Sequence, residues 1–452
     1  MLQLDLPLSN RSADMPVPIT KPNFSQTERR WILEELIVGD LDFKGQDSSY
    51  ASHNFHAFAA KFPPQLPRLF IAGMTSPGEI VLDPMMGSGT ALLEAYLLDR
   101  QAIGCDLDPL AIRQSQVKTT WINPGLLMQT AHDLIVHAQQ WLATVQDPEP
   151  LLHERYTPKA IEFMQYWFLP ETQLQLLALV QALECLPDGP VRNFMEVAFS
   201  SIIVTKSGGV SLARDLAHSR PHRVTDKVPR DAVQQFAVRV HKNIRSIAAL
   251  PRKDYQPIIR RGDARQLPLD DNAVDLVVTS PPYANAIDYM RAHKFSLVWF
   301  GDRIEDLATL RSRYIGTERT ADISDESLPP RAEAIIARLS VLDPPKARVL
   351  RKYYDDMRAA IRQMFRVLRP NRAVIIVVGS SMMRGIDVET HQCLADLVAS
   401  VGFDMVGVVE RKLDRDKRMM PARFGAKGGS GIEERMHHEY VIAGVKPSRG
   451  RH

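Results

Sequence analysis

Residues 80–90 read Ile-Val-Leu-Asp-Pro-Met-Met-Gly-Ser-Gly-Thr. The apolar run Ile80-Val81-Leu82 has the length and bounds of a buried strand. Gly87 and Gly89 mark a tight turn whose backbone can approach a ligand closely, with no Cβ in the way. A helical pattern begins near Thr90 and continues as Ala91-Leu92-Leu93-Glu94-Ala95. The next apolar stretch, Ala102-Ile103-Gly104-Cys105, ends in Asp106. Strand, glycine turn, helix and a second strand tipped by an acid form one βαβ unit, with the acid placed to grip ribose hydroxyls. No Lys follows Gly89, which disfavours a phosphate-cradling loop, and the third glycine of a dinucleotide fingerprint is missing.

A second strand end carries different chemistry. Val274-Asp275-Leu276-Val277-Val278 runs into Thr279-Ser280-Pro281-Pro282-Tyr283. Two consecutive prolines remove two backbone donors and fix φ. What remains is mostly acceptors, the carbonyls and the Ser280 hydroxyl, beside the flat face of Tyr283. An exocyclic amino group on a nucleobase needs both features, acceptors for its protons and an aromatic to hold its ring.

Together these loops resemble those of the S-adenosylmethionine-dependent amino-methyltransferases of DNA. Asp83-Pro84-Met85-Met86-Gly87-Ser88-Gly89-Thr90 is similar to the family's cofactor loop. Thr279-Ser280-Pro281-Pro282-Tyr283 is similar to its catalytic loop, in the Ser-Pro-Pro-Tyr form most associated with cytosine N4. The resemblance spans residues 53–118, 258–301 and 355–446. It implies an α/β Rossmann-like class I methyltransferase fold, a doubly wound seven-stranded sheet with a helical insertion. It also implies S-adenosyl-L-methionine held by Phe62 (in the turn Lys61-Phe62-Pro63-Pro64), Asp83, Pro84, Met85, Gly87, Gly89, Thr90, Asp106, Asp263 and Ser280. Asp263 would reach the adenine amino group of that cofactor.

The implied reaction is an in-line displacement whose difficulty lies in the nucleophile, because the N4 lone pair of cytosine is delocalised into the ring. The Ser280 side chain and Pro281 carbonyl, accepting both N4 protons, would aim that lone pair at the methyl group. This is catalysis by positioning and electrostatics. Pro282 would shape the loop and Tyr283 would stack on the extruded base. Asn285, Asp288 and Tyr289 lie just beyond and are candidates to orient the base. Methylation at ring carbon 5 needs a thiolate after proline; Cys105, Cys185 and Cys393 follow Gly, Glu and Gln, so that chemistry is rejected. Transfer to adenine N6 of DNA or to an RNA base stays open on the same scaffold, as does a silent nucleic-acid-binding protein.

The bulk properties are those of an ordinary globular chain. It has 452 residues, 45% hydrophobic and 24% charged, with a net charge of +3. No stretch approaches the ~20 apolar residues that span a bilayer. Neither a secretory signal nor a disulfide framework is expected. The expectation is a cytoplasmic, nucleoid-associated bacterial protein. No metal is expected, since the histidines lack ligand spacing. Basic residues gather in two runs, Lys206 to Arg230 and Arg411 to Arg435. Both are candidate phosphate contacts, Arg214, Arg220 and Arg223 in the first, Arg418 and Arg423 in the second. The partner expected is double-stranded DNA, and the resemblance allows a cognate restriction or defence nuclease.

Along the chain, residues 1–45 read as an N-terminal arm with a helix from Thr27 to Val38. Residues 46–120 form the cofactor half of the core and 121–254 a helical insertion with a role in substrate recognition. Residues 255–301 form the catalytic half, 302–350 a charged insertion, and 351–447 the C-terminal strands and helices, starting with a helix from Arg351 to Leu368. About 135 residues separate the second and third strands, more than a crossover connection needs. The cofactor loop precedes the catalytic loop, whereas many Ser-Pro-Pro-Tyr enzymes have the reverse order, so the place of base recognition does not carry over from the family.

Overall fold

The computed structural model describes residues 26–205, 209–216, 221–284, 288–318, 323–413 and 438–448. Among them, seven strands form one sheet: β1 (Ile80–Asp83), β2 (Gln101–Asp106), β3 (Ile258–Arg261), β4 (Val274–Thr279), β5 (Leu368–Gly379), β6 (Asp404–Lys412) and β7 (His438–Val445). Their order is β6-β7-β5-β4-β1-β2-β3. The pairs β3–β2, β2–β1, β1–β4 and β4–β5 are parallel. β7 runs antiparallel to both β5 and β6. This is the doubly wound sheet expected. The winding reverses between β1 and β4, and ligands of such sheets bind beyond the strand ends at that switch point.

Alternation along β4 explains its two covered faces. Leu276 and Val278 join the apolar cluster on one side with Val81, Phe70 and Ile375. Val277 joins the opposite cluster with Leu82, Met364 and Ile376. A strand buried on both faces reads as a continuous apolar run, as this one does. Its one charge, Asp275, accepts the Ile80 N–H at 3.0 Å and is paired with Arg369 at 2.6 Å.

Helices α1 (Gln26–Val38), α2 (Gln65–Met74) and α3 (Thr90–Leu97) cover the first face. α1 packs there through Leu33 and Ile37, and Arg30 donates to the Met405 carbonyl at 3.1 Å. α4 (Pro109–Thr119) follows β2. Then come α5 (Pro124–Leu142), α6 (Glu149–Arg155), α7 (Pro158–Trp167), α8 (Pro170–Glu184), α9 (Pro190–Ile203) and α10 (Ala232–Ala248). These enclose a separate apolar cluster that also takes in Met290, Phe295 and Trp299 from α11 (Tyr289–Leu297) and the turn after it, and Leu307 from α12 (Ile304–Arg311). The segment just past the catalytic loop is thereby built into the helical body.

The second face is covered by α13 (Pro330–Leu342), α14 (Pro344–Val367) and α15 (Thr390–Val401). α14 starts at Pro344, seven residues before the expected Arg351. Asp343 caps it by accepting the Lys346 N–H at 3.0 Å, and proline in a first helical turn loses no bond. Gly402, at φ +116°, ends α15.

Two members of the basic runs are taken up inside the fold. Arg411 is buried, donating to the Leu41 carbonyl at 2.9 Å and paired with Glu439 across β6 and β7. Lys227 donates to the Ser211 and Ala213 carbonyls at 2.5 and 2.8 Å. Among the described residues, no helix is long and apolar enough to cross a membrane.

Candidate active site

A cavity of about 390 Å³ opens beyond the C-terminal ends of β1, β2 and β4. Phe62, Asp83, Pro84, Met85, Gly87, Thr90, Asp106, Asp263, Ser280, Pro282, Asp288 and Tyr289 all line it. Gly89 shapes the turn from behind, while Pro281 and Tyr283 border a small adjoining cleft with Ser280, Ala60 and Tyr289. Ser280 therefore borders both spaces. The two loops meet because β1 and β4 are neighbours, in register at Leu82 and Val277. The Thr279 hydroxyl clamps them by donating to Asp83 Oδ1 at 2.7 Å.

The glycine turn is braced from several directions. The Gly87 N–H donates to Asp106 Oδ2 at 2.9 Å, and the Ser115 hydroxyl donates to the Gly87 carbonyl at 3.0 Å. Lys118, fully buried, donates to the Ser88 carbonyl at 2.8 Å. Gly87 and Gly89 adopt φ of +48° and +75°, a region that side chains rarely enter. A Cβ at Gly89 would stand 2.6 Å from Ser115 Oγ, and one at Gly87 would stand 2.9 Å from the Phe58 ring.

Burial governs the carboxylates here. Asp83, 2% exposed, is pushed up to about 7 by burial, against hydrogen bonds from Thr279 and the Met85 N–H. Asp106 is pushed up to about 6 by burial and by the neighbouring Asp108. Burial acts on Asp108 in the same sense, yet His293 beside it and the hydrogen bonds it accepts hold it below the ordinary range. Asp263 accepts two guanidinium hydrogen bonds from Arg265, at 2.9 and 2.7 Å.

The catalytic loop is anchored on its far side. The Tyr283 hydroxyl donates to Glu439 Oε1 at 2.8 Å, and that carboxylate is balanced by Arg411. The Tyr283 ring lies over Gly379, where a Cβ would come within 2.6 Å of Cε2. The Tyr289 hydroxyl donates to the Ala59 carbonyl at 3.3 Å, and its ring stacks on Phe58 at 5.0 Å.

Comparison with known proteins agrees with this geometry. The N6/N4 methyltransferase family model, described as DNA methylase, matches residues 8–117. The chain is 25% identical over 407 residues to the type II methyltransferase M.MvaI of Kocuria varians, covering 84% of this chain and 87% of that protein. The chain is similar to the S-adenosylmethionine-dependent DNA amino-methyltransferases.

M.MjaII of Methanocaldococcus jannaschii is 19% identical, with 60% of this chain and 66% of that one covered. M.Cfr9I of Citrobacter freundii is 45% identical over 53 residues, 12% of this chain and 18% of its own. Among solved structures, an S-adenosylmethionine-dependent methyltransferase from Methanosarcina mazei is matched at a TM-score of 0.30 and 11% identity, covering 84% of this chain and 98% of that one.

The methyltransferase's cavity fits its family's cofactor. Ser88 Oγ and Thr90 Oγ1 are buried against it with no protein partner. They stand at the N-terminus of α3, where a carboxylate finds polar hydrogens and the positive end of a helix. Asp83 and Asp106 offer negative charge to cationic and hydroxyl groups across the cavity.

Several lining residues carry no signal of that place in the sequence. Tyr314, Ile315, Gly316 and Thr317, from the expected charged insertion, form one wall of the cavity. Asp108 accepts from His293 Nδ1 at 2.7 Å and from the Tyr314 hydroxyl at 3.1 Å, and its other oxygen caps α4. That network joins the end of β2, α11 and the wall formed by 314–317. The expected base-orienting Asp288 is ion-paired with Arg291 at 2.9 Å and Arg311 at 2.5 Å.

Of the proposed DNA contacts, Arg214 and Arg223 are exposed on a two-stranded ribbon, and Arg223 lies over the Tyr166 ring at 4.7 Å. Asn285, Arg220, Arg418 and Arg423 lie outside the described residues. Among the described residues, no group of three or more His, Cys, Asp or Glu side chains is placed to hold a metal ion.

Proposed function

We propose that this methyltransferase modifies the exocyclic N4 of cytosine in double-stranded DNA. The observation that carries the reading is the shared position of Ser280, which borders both the cofactor cavity and the cleft beside Tyr283. A base whose amino edge reaches that cleft, a niche of about 10 Å³ that takes the edge and not the whole ring, presents its amino group at the boundary where a methyl donor ends. When bound, S-adenosylmethionine supplies a methyl group on a sulfonium, already an excellent leaving group.

The protein's task is to prepare the amine. Ser280 Oγ and the Pro281 carbonyl accept hydrogen bonds from the two N4–H groups, which turns the nitrogen lone pair out of the ring plane and toward the cavity; the methyl moves to N4, the thioether leaves, and one N4 proton is released to solvent. With Pro281 and Pro282 lacking N–H donors, nothing in the loop competes for that lone pair. Tyr283, braced by Glu439, and Tyr289, braced by Ala59, bound the slot and hold the ring by stacking. On this reading Asp83 and Asp106 hold the cofactor's cationic and ribose groups, Ser88 and Thr90 its carboxylate, and Asp263 its adenine.

A cognate nuclease partner is part of the same proposal, since the relatives are type II methyltransferases. The test of substrate class is transfer of label from S-adenosylmethionine to unmethylated genomic DNA, tRNA and rRNA in parallel. Label on DNA is expected. Label confined to RNA would overturn the reading.

A further inference from the structure

A second cationic feature lies outside the cavity, on α10. This 17-residue helix, Ala-Val-Gln-Gln-Phe-Ala-Val-Arg-Val-His-Lys-Asn-Ile-Arg-Ser-Ile-Ala, contains no carboxylate. Val233, Phe236, Val240, Ile244 and Ile247 bury one side of it in the helical cluster. At 3.6 residues per turn, Arg239, Lys242 and Arg245 fall together on the other side. Lys242 and Arg245 are exposed and Arg239 is half-buried. Among the described residues, none of the three is bridged to a carboxylate; the charges bearing on Lys242 are the repulsive ones of Arg239 and Arg245. Like charges at this spacing destabilise a helix. Among the described residues many other arginines are paired with a carboxylate, as Arg331 is with Glu389 and Asp396.

The buried face of α10 packs against the segment that leads to the active site. Asn243 Nδ2 donates to the Phe55 carbonyl at 3.5 Å, which seats α10 under the 55–58 segment. The charge of Arg239 reaches the buried His56 in that segment. Phe58, two residues on, lines the cofactor cavity and stacks on Tyr289. From Arg239 to Arg245 the helix rises about 9 Å. A nucleic-acid strand offers one charge per roughly 3.4 Å of axis, so the ridge matches two to three consecutive phosphates.

We propose that Arg239, Lys242 and Arg245 form a phosphate track that carries the DNA backbone past the active-site rim. The inference rests on DNA being the substrate, and it names the surface that holds the duplex while one base enters the cleft. Backbone contacts of this kind position the duplex without reading its sequence. The track therefore acts on every DNA alike, and target choice resides elsewhere.

The experiment is a titration of fluorescent duplex DNA against the full chain and the variant Arg239→Gln/Lys242→Gln/Arg245→Gln, at several salt concentrations. The expected result is a loss of affinity on the order of 100-fold at low salt, with the slope of log affinity against log salt reduced by about 0.9 for each cation–phosphate pair removed. A folding check comes from S-adenosylmethionine, which should raise the melting temperature of the variant as it does the wild type. Should Arg239→Gln disturb folding, Lys242→Gln/Arg245→Gln at the two exposed positions carries the test, with a slope change of about 1.8. Wild-type affinity and salt slope in a folded variant would overturn the track while leaving the methyltransferase reading intact. A wild-type protein that binds no DNA would overturn both.

Discussion

The two sides of the active site are built differently. On the cofactor side, the turn between β1 and α3 is fastened by Asp106, Ser115 and Lys118 and joined to its neighbour by Thr279 and Asp83. Every one of those partners comes from β1, β2, α4 or β4, elements with their own buried faces. On the base side, the small cleft is bordered by loop residues, and its two tyrosines are each held by a single hydroxyl bond. The contrast teaches where rigidity is needed. On the proposed reading a small cofactor is held in a preformed cradle, whereas an extruded base enters and leaves, and its slot is assembled from strand-end and loop residues and the first residue of α11.

The largest effect expected from breaking this division is on the base side. Ser280→Ala should reduce kcat roughly 100- to 1,000-fold, the scale set by loss of one aligned polar partner in a transition state. Cofactor affinity should fall far less, because Ser280 is one edge residue of the cavity while the braced turn of Gly87 to Thr90 forms the cradle. Single-turnover rates at saturating cofactor, together with calorimetric binding, separate the two quantities, and equal losses in both would count against the division.

Next in size is Gly89→Ala on the cofactor side. The added methyl meets Ser115 at 2.6 Å in a backbone at φ +75°. Overpacking of this kind costs about 1–3 kcal/mol. Both melting temperature and cofactor affinity should fall, and a variant as stable as the parent would show that the cradle is softer than its hydrogen bonds suggest.

A pH dependence should follow from the same side. The carboxyls of Asp83 and Asp106 lie near 3.8 in an unfolded chain and are raised to about 7 and about 6 in the fold. Raised values mean that the folded state holds protons more tightly. The stability these groups contribute is complete below pH ~4 and is lost as pH climbs through 6 to 7. A cationic ligand favours the ionised carboxylates, so the rise in melting temperature caused by S-adenosylmethionine should grow between about pH 6 and 8. Asp83→Asn should flatten that growth, and an unchanged profile would place the titration elsewhere.

The smallest effect belongs to Tyr283→Phe. The ring and its contact with Gly379 remain, and Glu439 keeps Arg411. The loss of one hydrogen bond should cost about 1 kcal/mol of stability, with only a few-fold change in kcat. A large drop in kcat, read by the same single-turnover assay, would make the hydroxyl itself part of the chemistry.

The same division explains what the sequence could and could not announce. Residues 80–90 and 279–283 are contiguous, sit at strand ends and carry their own punctuation, so loop and strand are readable together. That unit accounts for the parallel pairing of β1 and β2, and the doubly wound sheet as a whole is what the resemblance implies. Tyr314 and His293 leave no such trace. They meet Asp108 from 206 and 185 residues away, and no periodicity in one segment signals a side-chain contact in another. Arg411 differs from its place in the basic run for a related reason. Arg411 is basic by composition but is consumed by Glu439, its register partner across β6 and β7. The start of α14 lies ahead of its expected place because Pro344-Pro345 reads as an interruption, although prolines suit a first helical turn that Asp343 caps. The cationic face of α10 is equally legible by spacing, since no carboxylate interrupts it, but only packing shows which side is buried.

The most direct test is nucleoside mass spectrometry of unmethylated genomic DNA after incubation with the protein and isotopically labelled S-adenosylmethionine. Labelled N4-methylcytosine is the predicted product, absent when Ser280→Ala replaces the wild type. Labelled N6-methyladenine in its place would contradict the base assignment while keeping the fold and cofactor. N4-methylcytosine made equally well by Ser280→Ala would contradict the mechanism.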